Sequence, residues 1–351
     1  MHLLDQPSEI LKLDPKGMYD LTVDFPAQCE HAFELAQTFV PKGKFSFTNV
    51  VVTGMGGSAI GGDITRCLFE AYSSLPFVVI RDYTLPKSVG PHTLVFACSY
   101  SGNTEETLSA YHEANARGSK IIAVTSGGIL AETAKKDGFP VILIPAGKPP
   151  RTALGYLLIP TVVAASKLGL IPELNLSSLV EVLRKCVAEW KIEVPFEQNP
   201  AKKLAEKLAG NLGLIYGLGS WQGVAATRWK GQINENAKSM AFHATFPELN
   251  HNEILGWVGA QSQGVKKWVT VILEDGTESV KLKTRASVTS ALIHDRSEIF
   301  RVQAHGRALI EKILSLIYFG DFVSLYLAFL NHVDPENIDW INHLKSELSK
   351  V

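Results

Sequence analysis

The sequence has few cysteines, and they are not arranged as a metal site or a disulfide framework. Its 351 residues include four cysteines, Cys29, Cys67, Cys98 and Cys186. No two of them have the CxxC spacing typical of zinc ligands. Four scattered cysteines in so long a chain also argue against disulfide stapling. We therefore predict a protein of the reducing cytoplasm.

An excess of charge of either sign is also absent. The chain has 34 basic and 35 acidic residues, so no global field would hold nucleic acid or an anionic membrane. The N-terminus has no basic segment followed by an apolar run, which excludes a secretory signal of the usual kind. Only residues 313–330 approach membrane length, and they contain Gly320 and Asp321, so we predict a buried helix. Neither nucleic acid nor a membrane is an expected partner.

Short apolar runs alternate with helical patterns in the first half of the chain. The runs are TNVVVTG, LPFVVIRD, TLVFACS, KIIAVTS and FPVILIPA. Residues 105–117 between two of them fit an amphipathic covering helix, which parallel strands need as a crossover. The alternation predicts an α/β fold with a doubly wound parallel sheet flanked by helices.

A second series of the same kind follows a helical stretch that contains prolines. Its runs are LGLIYGLGS, WVTVILED and EIFRVQAHG, and YGLGSW resembles the earlier VTGMGGS. This similarity is a weak indication of duplicated architecture. We predict an N-terminal domain over residues 1–165, a helical connection over 166–198 and a C-terminal domain over 199–351.

The first candidate site is the glycine-rich turn GMGGSAIGGD, residues 54–63, between a predicted strand and a predicted helix. Glycines allow a ligand to approach the backbone, and the helix N-terminus offers unpaired N–H groups. Gly54, Gly56 and Ala59 also fit a dinucleotide-binding fingerprint, with Asp82 at the end of the next strand. This turn alone does not separate the two interpretations.

The second candidate site is SYSGNTEET, residues 99–107, which follows the third predicted strand. The hydroxyls of Ser99, Ser101 and Thr104 surround a glycine at a helix N-terminus. Neutral donors and backbone amides of this kind suit a phosphate monoester. A dinucleotide-dependent oxidoreductase has no need of this loop, so the sequence favours a phosphate ester as ligand.

The pattern S-x-S-G-N-T-x-E-T resembles the phosphosugar signature of sugar isomerase (SIS) domains. Together with GMGGSAIGGD, PRTALGY, NENAK and ELNHNE, it resembles the bifunctional phosphoglucose/phosphomannose isomerase family from Thr48 to the C-terminus. The resemblance implies two SIS domains that isomerise sugar phosphates. It also implies the residues that bind the phosphate, which are Gly56, Gly57, Ser58, Ser99, Ser101 and Thr104.

Aldose–ketose isomerisation needs a base, a cation or donor for the enediolate, and groups that open the sugar ring. The resemblance implies Glu235 as the base and Arg151 as the cation. It implies His251 and Lys345 for ring opening, with His251 supplied by the partner subunit of a homodimer. His243, in the strand-like AFHATF, is the rival histidine, and we expect it to be packed in the structure.

The family's chemistry implies glucose 6-phosphate and mannose 6-phosphate as substrates, with no cofactor and no metal. Members that accept both epimers tend to have a threonine before the lysine, whereas residues 334–339 have none, so the sequence does not rank the two substrates. Residues 334–350 predict a helix with Asp334 as its N-cap. Alternatives that remain open are a non-catalytic phosphosugar-binding regulator and an arabinose 5-phosphate isomerase.

Overall fold

A computed structural model describes residues 2–41, 43, 46–265, 267–348 and 350. The chain divides into two compact units. We call Asp24–Glu181 the first-sheet unit, and Met1–Val23 together with Val182–Val351 the second-sheet unit. These bounds differ from the predicted domain limits 1–165, 166–198 and 199–351, which stay a prediction.

The first-sheet unit contains a five-stranded parallel sheet. Its strands are β1 (Asn49–Thr53), β2 (Phe77–Ile80), β3 (Thr93–Ser99), β4 (Lys120–Thr125) and β5 (Val141–Leu143). Their order is β2-β1-β3-β4-β5, with every neighbouring pair parallel. All five apolar runs predicted in this part of the chain are therefore confirmed as strands. The order reverses between β1 and β3, which opens a crevice at their carboxyl ends.

The second-sheet unit contains a four-stranded parallel sheet in the order β7-β6-β8-β9. Its strands are β6 (Leu212–Gly217), β7 (Ala241–Thr245), β8 (Trp268–Glu274) and β9 (Ser297–Gln303). Strand β6 occupies the position in this sheet that β1 has in the first, with the next strand of the chain on the same side. The two sheets share a strand order, so the fold supports the duplicated architecture that the two glycine turns suggested.

Helices cover both sheets. In chain order they are α1 (Pro7–Ile10), α2 (Met18–Val23), α3 (Phe25–Gln37), α4 (Gly56–Tyr72), α5 (Glu105–Ala116), α6 (Gly128–Lys136), α7 (Leu154–Lys167), α8 (Leu176–Trp190), α9 (Pro200–Leu208), α10 (Ser220–Ala237), α11 (Glu253–Gly259), α12 (Val280–Ile293), α13 (Leu309–Leu330) and α14 (Asp339–Leu348). Helix α5 confirms the predicted amphipathic helix. It buries Thr107, Ala110, Tyr111 and Ala114, a spacing that lines one helical face.

The first 23 residues belong to the second-sheet unit because buried polar contacts hold them there. Lys202 is fully buried, and its Nζ donates to Asp5 Oδ1 at 3.0 Å. The same carboxylate accepts from the backbone N–H of Phe196 at 2.7 Å. The hydroxyl of Tyr19 accepts from the N–H of Ile192 at 2.7 Å. Each contact satisfies a polar group that would be costly to bury alone.

Helix α13 is the most apolar element of the described chain. It is the one helix there that is long and apolar enough to cross a membrane, and 89% of its apolar window is buried within the protein. It packs against α9 and α10. The buried helix predicted for residues 313–330 is therefore present, with the polar Asp321 inside it.

Gly320 in α13 permits close packing of α10. A Cβ atom on Gly320 would lie 2.3 Å from Nε1 of Trp229, whose N–H donates to the carbonyl of Leu316 at 2.7 Å. We expect Gly320→Ala to lower the free energy of unfolding by about 1–3 kcal/mol, the usual cost of overpacking. Urea titration followed by circular dichroism measures this change.

Gly231→Ala is the matched control because a Cβ atom there, also within a helix, meets nothing within 4 Å. It should raise the free energy of unfolding by about 0.5–1 kcal/mol through helix propensity alone. A Gly320→Ala protein as stable as the wild type would contradict the packing argument.

Candidate active site

The glycine-rich turn after β1 brings three segments of the first-sheet unit together. A Cβ atom on Gly54 would lie 2.8 Å from the carbonyl oxygen of Cys98, near the end of β3. A Cβ atom on Gly57 would lie 2.8 Å from the carbonyl oxygen of Pro150. Gly56 has a φ of +50°, and Ser58 is buried in the first turn of α4. The small residues therefore let the start of α4 contact both the β3 end and the turn around residue 150.

The hydroxyl-bearing loop lies between β3 and α5. Ser99 ends β3, and its Oγ accepts from the N–H of Gly102 at 3.1 Å. The hydroxyls of Ser99 and Thr104 are 2.9 Å apart, and Thr104 directly precedes α5. Ser101 is exposed, and its Oγ accepts from the N–H of Asn103 at 3.2 Å. The hydroxyls of Ser99 and Thr104 are thus brought together at a helix N-terminus, and Ser101 lies exposed in the same loop.

Gly102 determines the path of this loop. Its φ is +72°, and a Cβ atom there would lie only 1.8 Å from the carbonyl oxygen of Gly127. The carbonyl of Gly102 accepts from the N–H of Leu130 at 2.9 Å, and Asn103 Oδ1 accepts from the N–H of Ile129 at 3.0 Å. The loop is therefore fixed against the turn that begins α6.

Arg151 lies in a short 3-10 turn, Pro150–Thr152, and is 5% exposed. Gln28 in α3 is bonded both to this turn and to the first turn of α7. Its Nε2 donates to the carbonyl of Thr152 at 2.8 Å, and its Oε1 accepts from the N–H of Gly155 at 2.7 Å. Because Pro150 contacts the glycine turn at Gly57, the backbone of Arg151 is adjacent to the predicted phosphate-binding residues.

Sequence reasoning missed two residues that support this site. Gln28 is one. No local motif predicts its role, because its hydrogen-bond partners are more than a hundred positions away in the sequence. Tyr100 is the other, although it lies within the signature. Its hydroxyl accepts from the N–H of Lys148 at 2.9 Å, and its carbonyl accepts from Ser126 Oγ at 2.6 Å. Tyr100 therefore ties the hydroxyl-bearing loop to the segment that precedes Arg151.

Glu235 lies in the last turn of α10, in the second-sheet unit, and is half-buried. The same helix is joined to α13 by a bidentate ion pair, in which Arg228 Nε and Nη2 donate to Asp321 at 3.1 and 2.9 Å. Burial raises the pKa of Asp321, while Arg228 and Gln232 oppose the rise. Arg228, Gln232 and Glu235 follow one another at spacings of four and three residues, so they share a helical stripe.

His251 ends the short turn Glu248–His251 and is exposed. The rival His243 is not packed in a core, contrary to expectation. It lies on the edge strand β7, exposed, with Nε2 2.8 Å from Thr227 Oγ1. Partial desolvation and the nearby Lys230 lower the pKa of His243.

Lys345 is exposed on α14. The helix begins at Asp339, so the predicted N-cap at Asp334 is wrong. Asp334 instead accepts from the N–H of Glu336 at 2.8 Å and caps a turn. Trp340, Leu344 and Leu348 share the apolar face of α14 and are exposed as well.

The structure divides the predicted site residues between the two units. The predicted phosphate-binding residues and Arg151 lie in the first-sheet unit, whereas Glu235, His251 and Lys345 lie in the second-sheet unit. Among the described residues, no group of three or more His, Cys, Asp or Glu side chains is arranged to hold a metal ion.

We expect Gly102→Ala to abolish the binding of inorganic phosphate, because the added methyl group would clash with the Gly127 carbonyl and displace the hydroxyl-bearing loop. Isothermal titration calorimetry with inorganic phosphate measures the loss. Gly138→Ala is the control, since Gly138 has a similar φ of +78° but open space around it. That variant should lose about 1–2 kcal/mol of stability and still bind phosphate. Wild-type phosphate binding by Gly102→Ala would refute this account of the loop.

Two family models match the chain. Residues 46–144 match the SIS domain, and residues 197–348 match the bacterial phospho-glucose isomerase C-terminal SIS domain. The first match contains β1 to β5 and the hydroxyl-bearing loop, and the second contains β6 to β9 together with Glu235, His251 and Lys345.

Curated relatives are similar along almost the whole chain. A bifunctional phosphoglucose/phosphomannose isomerase from Caldicellulosiruptor bescii is 43% identical over 95% of this chain and 99% of its own length. A protein of the same description from Aquifex aeolicus is 34% identical over 87% of this chain and 91% of its own length. Among solved structures, a hypothetical protein from Thermus thermophilus superposes with a TM-score of 0.76 at 17% identity, covering 99% of this chain and 94% of that one. The last similarity shows the fold alone.

Proposed function

The chain belongs to the bifunctional phosphoglucose/phosphomannose isomerase family, and from this we propose that it interconverts glucose 6-phosphate and mannose 6-phosphate with fructose 6-phosphate. The reaction is an aldose–ketose isomerisation through a cis-enediol. The observation that carries the proposal is the hydroxyl-bearing loop, in which the hydroxyls of Ser99 and Thr104 meet at the N-terminus of α5. Such a loop suits a phosphate monoester and serves no purpose in a hydride transfer.

The phosphate is proposed to bind Ser58, Ser99, Ser101 and Thr104, with backbone N–H groups of Gly56 and Gly57. Support comes from the close approach of the glycine turn to the end of β3 and from the fixed backbone of the hydroxyl-bearing loop. A rigid cradle binds with less loss of conformational entropy than a loop that must order around its ligand.

Glu235 is proposed as the base. Its carboxylate removes the proton from C2 of the open-chain aldose while O1 takes up a proton, which gives the cis-enediol. The carboxylic acid then returns the proton to C1 while O2 loses its proton, which gives the C2 carbonyl of the ketose. Arg151 is proposed to stabilise the negative charge that develops on the enediolate oxygens. A guanidinium suits this role because it stays charged and carries several donors in one plane.

His251 and Lys345 are proposed to move the ring proton when the pyranose opens. Imidazole titrates near neutral pH and can both accept and donate that proton. The absence of threonine in residues 334–339 leaves the ratio of glucose to mannose activity to be measured.

A homodimer in the cytoplasm is the proposed assembly and location, with His251 supplied by the partner subunit. The exposed position of His251 supports this arrangement, as do the exposed apolar side chains of Phe242, Leu255 and Val258. Large apolar side chains left in contact with water are typical of interaction surfaces. Four free, buried cysteines agree with a reducing compartment.

Glu235→Gln tests the base. We expect kcat to fall by about a hundredfold to ten-thousandfold, because an amide cannot carry the proton, while substrate still binds. Coupled assays with glucose 6-phosphate, mannose 6-phosphate and arabinose 5-phosphate, together with calorimetric titration, give both quantities. Glu197→Gln, which changes an exposed side chain paired with Lys203, is the control. Turnover near the wild-type value in Glu235→Gln would show that Glu235 is not the base. A wild-type protein that binds these sugar phosphates but converts none of them would be a regulator and not an isomerase.

A heterodimer tests the origin of His251. Glu235→Gln and His251→Asn chains are co-expressed with different tags, and the mixed dimer is purified on both. If His251 acts on the partner's substrate, one active site of the mixed dimer contains both substitutions and the other active site contains neither. The mixed dimer should therefore have about half of the wild-type kcat. Activity as low as in the parent variants would show that His251 acts within its own chain.

A further inference from the structure

Lys238 follows the last residue of α10 and has an unusual backbone conformation. Its φ is +51° and its ψ is +36°, which is the left-handed region. Lys238 and His332 are the non-glycine residues with positive φ in the part of the chain that the structure describes. A side chain in this region is uncommon for any residue other than glycine, asparagine or aspartate. A lysine held in it needs a compensating interaction.

That interaction is made by the ammonium group, which turns back over the end of its own helix. Lys238 Nζ donates to the carbonyl oxygens of Glu235 at 2.7 Å and Asp334 at 2.8 Å. The carbonyl oxygens of Pro335 and Asn236 lie 3.3 and 3.5 Å from the same nitrogen. Carbonyls at a helix C-terminus lack intrahelical partners and carry partial negative charge, so a cation there is favourable.

The four carbonyls come from two separate segments of the second-sheet unit. One segment is the last turn of α10, and the Lys238 contact binds the backbone of Glu235 itself. The other, residues 334–335, lies within the connection between α13 and α14, the helix that carries Lys345. Next to this contact, Asn331 Nδ2 donates to the carbonyl of Ala237 at 2.9 Å, so the chain leaving α13 is also bound to the end of α10.

We infer that Lys238 is a positioning residue for the isomerisation. Its ammonium group fixes the backbone of Glu235 relative to the segment that leads to Lys345. The inference rests on the proposed role of Glu235 as the base. It gives a second residue of the NENAK motif, besides Glu235, a definite task, and that task requires a cation of lysine length in this place.

Lys238→Met tests the inference, because methionine keeps much of the apolar side chain and removes the charge. Misplacing a base by about 1 Å can cost as much as a hundredfold in rate, so we expect kcat to fall by about tenfold to a hundredfold. KM should stay within about twofold of the wild type, because the phosphate-binding residues are unchanged. Lys203→Met, at a half-buried lysine paired with the exposed Glu197, is the matched control and should keep wild-type kinetics.

Two further variants separate the ammonium group from the backbone. Lys238→Gly and Lys238→Asn adopt the left-handed conformation readily but lack the cation. Both should be as impaired in kcat as Lys238→Met. Wild-type kcat in either variant would mean that only the backbone conformation matters, and the inference would fail.

Chemical rescue tests whether an ammonium group at this position restores kcat. Lys238→Cys is treated with 2-bromoethylamine, so that the thiolate displaces bromide and forms a thioether ending in an ammonium group at nearly lysine length. The four native thiols are buried, and desolvation raises the pKa of Cys67, Cys98 and Cys186 to about 12, so they should not react in the folded protein. Mass spectrometry should report a single addition.

Aminoethylation should restore most of the kcat lost in Lys238→Cys and leave the wild type unchanged. Modified protein no more active than the unmodified variant would overturn the inference. A Lys238→Met enzyme with wild-type kcat, beside an inactive Glu235→Gln enzyme, would refute the positioning role and leave the proposed base in place. An active Glu235→Gln enzyme would instead remove the proposed base.

Discussion

The parallel pairing of β1, β3 and β4 is the constraint on which the first-sheet unit depends. It places the glycine turn, the hydroxyl-bearing loop and the turn before α6 at the same edge of one sheet. Each of these segments then approaches its neighbour so closely that a Cβ atom would collide with a backbone carbonyl, as at Gly57 and Gly102. The hydroxyls of Ser99 and Thr104 lie 2.9 Å apart because these close approaches fix the backbone of the loop.

In the second-sheet unit, a corresponding constraint comes from polar groups buried between α10 and α13. Arg228 and Asp321 are both buried, and breaking such a pair by removing one partner leaves an uncompensated charge that costs about 3–5 kcal/mol. Asn236 Nδ2 donates to Ser324 Oγ at 2.9 Å further along the same helix pair. Apolar packing alone would tolerate a shift of one helix along the other, whereas these bonds specify a register. The last turn of α10, which holds Glu235, is thereby placed on a rigid element.

Most of the fold could be predicted because apolar runs and glycine turns are local signals. Strands β1 to β5 correspond to the runs recognised in the sequence, and so do β6, β8 and β9. The start of α14 could not be predicted, because Asp334 is a good N-cap residue by type but its carbonyl is bound by Lys238, 96 positions away. Gln28 was missed for the same reason. Its two partners lie in the turn of Arg151 and in the first turn of α7, and no pattern near Gln28 indicates them. The hydroxyl-bearing loop could be recognised because Ser99, Ser101 and Thr104 lie within one continuous segment of six residues.

The two sheets share a strand order, yet the loops after β3 and β8 differ in charge. The first has the hydroxyls of Ser99 and Thr104, whereas in the second Thr277 and Ser279 are accompanied by Asp275 and Glu278, and β8 itself ends at Glu274. Two of these carboxylates are already paired, Glu274 with Arg301 Nε at 2.9 Å and Asp275 with Lys312 Nζ at 2.6 Å. Carboxylates at this edge would repel a phosphate, whereas hydroxyls and free N–H groups attract one. A duplicated fold therefore does not imply a duplicated site, and the second sheet is left to position α10 and the residues that follow it.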